Sequence, residues 1–576
     1  MKILALSGGE HSCGLAYLEN GKPIFAFEEE RFNRIRTYKD FFNGLFRYPW
    51  LSGKNVWYNK NFNWEELDYI VTNFPEEVSK NIWEGIGLGP FPTEKWIRIN
   101  HHEAHCNLAY YCSGFEEDTL VISIDGAGDI DWGKCYLGRS GNLQLVKQHS
   151  LSTKSLGHFY CMLTELLGFK RLKDEGKIVG LSSHGEYVDW IYEAFNESIT
   201  VSPSTNDTDL DHPIKTIENT RKLYEDFYRL FVEKNPLLSE GPHSYRPEDL
   251  AYNGQLVFEE KVLQLINFYH LQYPDVKKIA LAGGVFANVK LNKKINELKW
   301  VDEVFIAPPM GDEGLPLGSA LTAHKLKNPN FKPFKLKDIY LGTSYGDKLP
   351  INPNTPDNLI PAFVVENDES TILSTPHKWL CFGEVYDDSK KYHIRPYDKS
   401  SLAYDLKEGK VIGWFQGRYE HGPRALCNRS IIADPSVPGT YKKINDRLQR
   451  NDNMPFAPVV LDDYANKVFH VNKSRYTAEF MTMLYDTREE WYNKIPAVVH
   501  PVDKTARIQI VTKNSNFKFH NLLECFRQIT DIPVLLNTSF NIHGEPIVCR
   551  PAEAFVHLDN GIVDKLVINN KVYTKK

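Results

Sequence analysis

The chain reads as an α/β protein of more than one domain, with a two-lobed N-terminal part, and three observations carry that reading. At 576 residues it is longer than one hydrophobic core usually serves, so two or more domains are expected. A strand, a glycine turn and a hairpin occur twice in the same order. The composition then shifts to Pro, Asn, Lys and Gly between about residues 328 and 357, as in an inter-domain connection.

Residues 3–6 read as a buried strand, Gly8-Gly9 as a turn, and residues 15–27 as two strands around the Asn20-Gly21 hairpin. The plan recurs with residues 120–124 as strand, Asp125-Gly126 as turn, and residues 135–137 and 143–146 as strands around Ser140-Gly141-Asn142. Strand, glycine turn, hairpin, twice over, resembles the layout of actin-like and Hsp70-like ATPase lobes, an analogy of pattern. A further strand, residues 279–282, runs into Gly283-Gly284 and on to Asn288. Two glycines where a strand meets a helix let backbone N–H groups approach a phosphate or an adenosine; a tight turn needing positive φ uses them equally well. Beyond the connection come a strand at 411–415, an arginine-rich loop, a charged helix near 441–450, the turn Pro455-Phe456-Ala457-Pro458, and a strand at 532–536 leading into Asn537-Thr538-Ser539-Phe540-Asn541.

Composition narrows the function. Charged residues make up 25% and hydrophobic ones 42%, an ordinary globular balance that argues against disorder. The net charge of -6 gives no general reason to bind nucleic acid or an anionic membrane. The nine cysteines include no C-x-x-C pair, the pattern of reduced thiols in a cytoplasmic protein. No secretory leader is expected, since residues 1–6 run at once into Ser7-Gly8-Gly9, and no apolar run approaches a membrane span.

Two clusters bear chemistry. The loop Gln416-Gly417-Arg418-Tyr419-Glu420-His421-Gly422-Pro423-Arg424-Ala425-Leu426-Cys427-Asn428-Arg429-Ser430 holds three arginines around a Gly-Pro turn. Guanidinium groups are permanently charged and bidentate toward phosphate or carboxylate, so three so close together predict an anion between them. Upstream, His101 and His105 are four apart in His101-His102-Glu103-Ala104-His105, which on a helix capped by Asn100 places both imidazoles on one face. Asp125 and Asp312 lie on glycine-flanked turns and supply oxygen ligands. Two imidazoles with carboxylates suit iron(II), manganese or zinc, and the lack of thiolates points away from a closed structural zinc site.

These motifs, with Glu175-Gly176-Lys177-Ile178-Val179-Gly180-Leu181, stand along nearly the whole chain in an order that resembles the O-carbamoyltransferases of the NodU, CmcH and TobZ type. The resemblance implies a Kae1-like, actin-type domain with bound iron over residues 1–335, a linker at 336–360, and a YrdC-like α/β domain over 361–576. It implies two steps: carbamoyl phosphate and ATP, with Mg(2+), give carbamoyl adenylate in the second domain, and the first domain passes the carbamoyl group to a hydroxyl of a small-molecule acceptor. Arg418, Arg424, Asn428, Arg429, Arg450, Arg507, Asn537, Ser539 and Asn541 would then hold carbamoyl phosphate and ATP. His101, His105, Asp125 and Asp312 would hold Fe(2+); Gly126, Lys177, Gly283, Gly284 and Asn288 would face the nucleotide. His11, in the first glycine turn, matches the family's N-terminal histidine and would be the general base. The chain departs from the family at Gln449, where a lysine is common, leaving Lys442 or Lys443 to replace it. It departs also at Arg34 and Arg36, which follow Glu29-Glu30-Arg31-Phe32 where a lysine is common, and at Asp129, where a glutamate is usual. A threonylcarbamoyl transferase acting on tRNA and a non-catalytic nucleotide-binding protein remain the alternatives; the acidic net charge and the fusion of both domain types in one chain favour a small molecule over nucleic acid. The sequence leaves the acceptor open among a sugar, an antibiotic, an oligosaccharide and a nucleoside, and is compatible with a homodimer.

Overall fold

The structure, a computed structural model, describes residues 1–8, 12–34, 64–74, 79–80, 83–84, 90–151, 155–199, 225, 246–345, 391–450 and 455–576. His11 and most of the expected linker lie outside the described residues.

The first five strands are β1 (Lys2–Ser7), β2 (Gly14–Glu19), β3 (Lys22–Glu28), β4 (Tyr69–Thr72) and β5 (Trp96–Arg98), in the sheet order β3-β2-β1-β4-β5. The next five are β6 (Thr119–Gly128), β7 (Asp131–Arg139), β8 (Asn142–Ser150), β9 (Lys278–Ala282) and β10 (Glu303–Ile306), in the order β10-β9-β6-β7-β8. Written from the other edge this is the same plan, an antiparallel meander continued by two parallel strands. The repeat legible in the sequence is therefore a repeat of topology. Helices His101–Ser113 and Leu315–Lys327 pack against each other, and Ile3, Ala5, Ala104, Leu108, Val121, Leu317 and Leu321 share one buried cluster between the two sheets.

One element differs from expectation. Asp125-Gly126 reads as a turn in the sequence, yet β6 runs through it to Gly128, with a register irregularity against β7 between Ile124 and Gly128. Such a bulge bends a strand and re-aims a side chain without ending it.

The remaining main sheet has eight strands: β11 (Tyr392–Pro396), β12 (Ile412–Phe415), β13 (Arg429–Ala433), β14 (Ala457–Leu461), β17 (Gln509–Val511), β18 (Val534–Ser539), β19 (Lys565–Ile568) and β20 (Lys571–Lys575), in the order β11-β20-β19-β12-β13-β18-β14-β17. The short strands β15 (Tyr485–Asp486) and β16 (Thr505–Ala506) form a separate pair. Among the described residues no helix is long and apolar enough to cross a membrane, and the described cysteines are all free thiols.

Candidate functional site

The helix His101–Ser113 begins where its cap predicts. The Asn100 side chain accepts the Glu103 N–H at 3.3 Å and donates to Asp129 at 2.7 Å, while Asp129 accepts the His101 N–H at 2.9 Å. First-turn donors that a helix leaves unpaired are thus satisfied. The spacing of four then brings Nε2 of His101 and Nε2 of His105 to 3.2 Å. Asp125 Oδ2 lies 3.7 Å from the first and 3.3 Å from the second, and Asp312 Oδ1 lies 3.4 Å from both. All four ligand atoms fall within 4.8 Å of one another.

The electrostatics suit a cation. Burial disfavours a charged imidazole at His105, but the Asp125 and Asp312 carboxylates more than offset it and push its pKa up to about 9. Burial alone would raise Asp125, yet the two imidazoles hold it well below the usual carboxylate range. At neutral pH a proton on His105 therefore supplies positive charge that two carboxylates attract, and a divalent ion would replace it. Two imidazole nitrogens and two carboxylate oxygens fit iron(II), manganese or zinc.

Neighbouring groups fix these ligands. The backbone φ of Gly283 is +104°, and a Cβ there would stand 2.2 Å from the Ile124 carbonyl oxygen, so only glycine fits. Its N–H donates to Met310 O at 2.6 Å, and the next N–H, that of Gly284, donates to Asp125 Oδ2 at 3.0 Å. His102, on the other side of the helix, has Nε2 3.1 Å from Asp131 O and Nδ1 2.9 Å from Ser123 Oγ. A carbonyl can only accept, so Nε2 carries the proton and Nδ1 accepts from the serine. Burial keeps that ring neutral. Its work is to seat the helix on β6, a role the sequence does not announce.

Several expected nucleotide residues have structural partners. The Gly284 N–H faces a carboxylate, and the Gly126 carbonyl accepts from Ser155 at 2.7 Å. Asn288 caps the helix Val289–Asn296 and exchanges hydrogen bonds with Gln255. Lys177 pairs with Asp174 at 3.2 Å.

The arginine loop is divided in a way its charge density does not reveal. Arg418 donates to the carbonyls of Gly342, Ile24 and Leu341, between 2.6 and 2.8 Å. Arg429 is fully buried, donates to Gln416 O at 2.6 Å and to Asn428 O and Gly417 O, and lies 3.6 Å over the Phe415 ring. Backbone carbonyls thus already take up much of the hydrogen-bonding capacity of both guanidiniums. Asn428 donates to Arg418 O and Asn541 to Ile542 O and Glu545 O, as loop braces. Lys443 pairs with Asp564.

Arg424 instead converges with residues from other segments. Arg507 is pressed well below the usual guanidinium range by burial and then by the charges of Arg424 and Arg450. Arg450 donates to Thr538 Oγ1 at 3.2 Å and Ser539 Oγ at 3.3 Å. Asn537 ties this end of β18 to the loop through Ala425 O at 3.1 Å. Arg424 and Arg450 thus lie near enough to Arg507 to act on its charge, and Arg450 in turn reaches Ser539.

Sequence reasoning passed over Arg31. It is buried, pairs with Glu28 at 2.7 Å and donates to Gly422 O at 2.9 Å; the only signal was its place in Glu29-Glu30-Arg31-Phe32.

Residues 93–321 match the family model for the carbamoyltransferase N-terminus, and residues 403–575 that for the carbamoyltransferase C-terminus. An uncharacterized protein of Methanocaldococcus jannaschii is 31% identical over 100% of this chain and 99% of its own length. The nodulation protein NolNO of Sinorhizobium fredii is 30% identical over 98% of this chain and 79% of its own. A 3'-hydroxymethylcephem-O-carbamoyltransferase of Amycolatopsis lactamdurans is 28% identical, covering 71% and 66%. The chain belongs to the carbamoyltransferase family, enzymes that transfer carbamoyl groups.

Proposed function

We propose that this protein is an ATP-dependent O-carbamoyltransferase with a small-molecule acceptor, divided into a Kae1-like part over residues 1–335, a linker at 336–360 and a YrdC-like part over 361–576. The observation that carries the division of labour is the approach of Arg424 and Arg450 to Arg507, on whose charge burial and then their repulsion already press. Phosphate groups relieve that repulsion. In the first step carbamoyl phosphate, ATP and one water give carbamoyl adenylate, phosphate and pyrophosphate, and the three guanidiniums neutralise charge that grows on the departing phosphates. Ser539, held by Arg450, is placed to donate its hydroxyl proton to a phosphate oxygen.

In the second step the acceptor oxygen bonds to the carbamoyl carbon, the bond to AMP breaks, and the hydroxyl proton leaves to a base. His11 is the proposed base, from its place in the first glycine turn. His101, His105, Asp125 and Asp312 would hold a divalent ion, iron(II) in the reading taken from the family, which when bound supplies Lewis-acid polarisation of the carbamoyl group. The cephem relative is named for a hydroxymethyl acceptor, in line with a small-molecule hydroxyl here, and the match to carbamoyl-transfer models leaves the tRNA alternative without support. The test is incubation with ATP, carbamoyl phosphate and a panel of hydroxylated metabolites, read by mass spectrometry. One acceptor should gain a carbamoyl group only when both co-substrates are present; carbamoylation that proceeds without ATP would contradict the proposal.

A further inference from the structure

One buried ion pair grips a turn that neighbours both clusters. Glu28 and Arg31 lie where β3 passes into the helix Glu29–Asn33, and both are buried. Arg31 Nε donates to Glu28 Oε2 at 2.7 Å, and Arg31 Nη2 donates to Gly422 O at 2.9 Å and to Glu420 O at 3.4 Å. The Gly422 N–H returns a hydrogen bond to Glu28 Oε1, so the pair grips the Glu420–Gly422 turn from both sides.

That turn faces in two directions. Toward the anion cluster, Glu420 Oε1 accepts the N–H groups of Leu426, Asn428 and Arg429, closing the loop that carries Arg424. Toward the metal ligands, Gly422 has φ +116°, and a Cβ there would sit 3.3 Å from Pro308 O and 3.4 Å from Pro309 Cα. Pro309 precedes Met310, whose carbonyl holds Gly283, and Asp312, which faces both histidines.

A buried ion pair is weak evidence for stability, because desolvation offsets most of its attraction; its best-attested use is to fix register. We propose that Arg31, with Glu28, is a positioning residue for both half-reactions: it clamps the Glu420–Gly422 turn so that one contact sets where Arg424 and Asp312 stand. The inference rests on the functional reading above, in which those residues belong to the anion and metal sites.

The test uses Arg31→Lys, which keeps the charge but loses the planar fork. Cobalt(II) affinity is read by visible absorption, and the KM for carbamoyl phosphate by pyrophosphate release from ATP. Cobalt affinity should weaken roughly ten- to a hundred-fold, the range for lost outer-shell partners, and the KM should rise with it. Arg34→Lys is the control: Arg34 also crosses to the C-terminal part, but to Ile547 O and Pro546 O, and should move neither. Where Arg31→Lys fails to fold, hydrogen exchange of the wild type decides: cobalt(II) should slow exchange in the 419–426 segment, and unchanged exchange overturns the clamp. A wild type that binds no cobalt(II) defeats the metal reading and the clamp together. Cobalt binding with Arg31→Lys equal to wild type, or with Arg34→Lys equally impaired, overturns the clamp alone.

Discussion

Gly284 donates its backbone N–H to Asp125 Oδ2 at 3.0 Å. The glycine pair, which in the sequence suits either a phosphate cradle or a tight turn, thus holds a carboxylate of the candidate metal site by its backbone.

Close packing around this site makes it sensitive to single methyl groups. A Cβ on Gly128 would stand 2.2 Å from His101 Cδ2. Gly128→Ala should displace that imidazole and lower cobalt(II) affinity by about tenfold or more, the scale at which misplaced ligands are felt. Unchanged affinity by absorption titration would remove His101 from the ligand set.

The protonation of His105 gives the site a pH dependence of known sign. With its pKa near 9 before metal enters, the ring carries a proton at neutral pH that a cation must displace. Cobalt(II) affinity should therefore rise with pH, by up to roughly tenfold per unit between about pH 6 and 9. A flat profile over that range would show that His105 does not bind the ion.

Arg418 and Arg424 should behave differently although both lie in one loop. Arg418→Ala removes the donor from three carbonyls and should lower stability by about 2–4 kcal/mol, seen as a lower denaturant midpoint. Adenylate formation in the folded fraction should be retained. A stable Arg418→Ala without adenylate formation would return this residue to the anion site.

His11→Ala should still form carbamoyl adenylate but transfer it roughly a hundred- to ten-thousand-fold more slowly. Wild-type transfer from supplied carbamoyl adenylate should fall as pH drops through the histidine pKa, since imidazolium cannot accept a proton, and the variant should lack that limb. Transfer within a few-fold of wild type would move the base elsewhere.

How far the sequence could be read depends on where each partner lies. His101 and His105 were legible because both sit on one helix whose period and Asn100 cap are local. Asp125 and Asp312 could be named from the glycines beside them, but their meeting depends on segments far apart in the chain. The carbonyl partners of Arg418 and Arg429 are not legible, because charge density does not say which oxygens a guanidinium faces. Arg31 was missed because its partner Glu420 is 389 residues away. The duplicated sheet was visible because each copy is mostly a local meander; the eight-stranded sheet mixes distant strands such as β12 and β19 and left only isolated apolar runs.

In the proposed function, adenylate formation and carbamoyl transfer belong to separate clusters. That separation is tested most directly by carbamoyl-phosphate-dependent pyrophosphate release from ATP in wild type, Arg424→Ala and His105→Ala. Wild type and His105→Ala should release pyrophosphate alike, while Arg424→Ala should be slower by on the order of 10²–10³-fold. Normal release by Arg424→Ala, or its loss in a folded His105→Ala, would contradict the account.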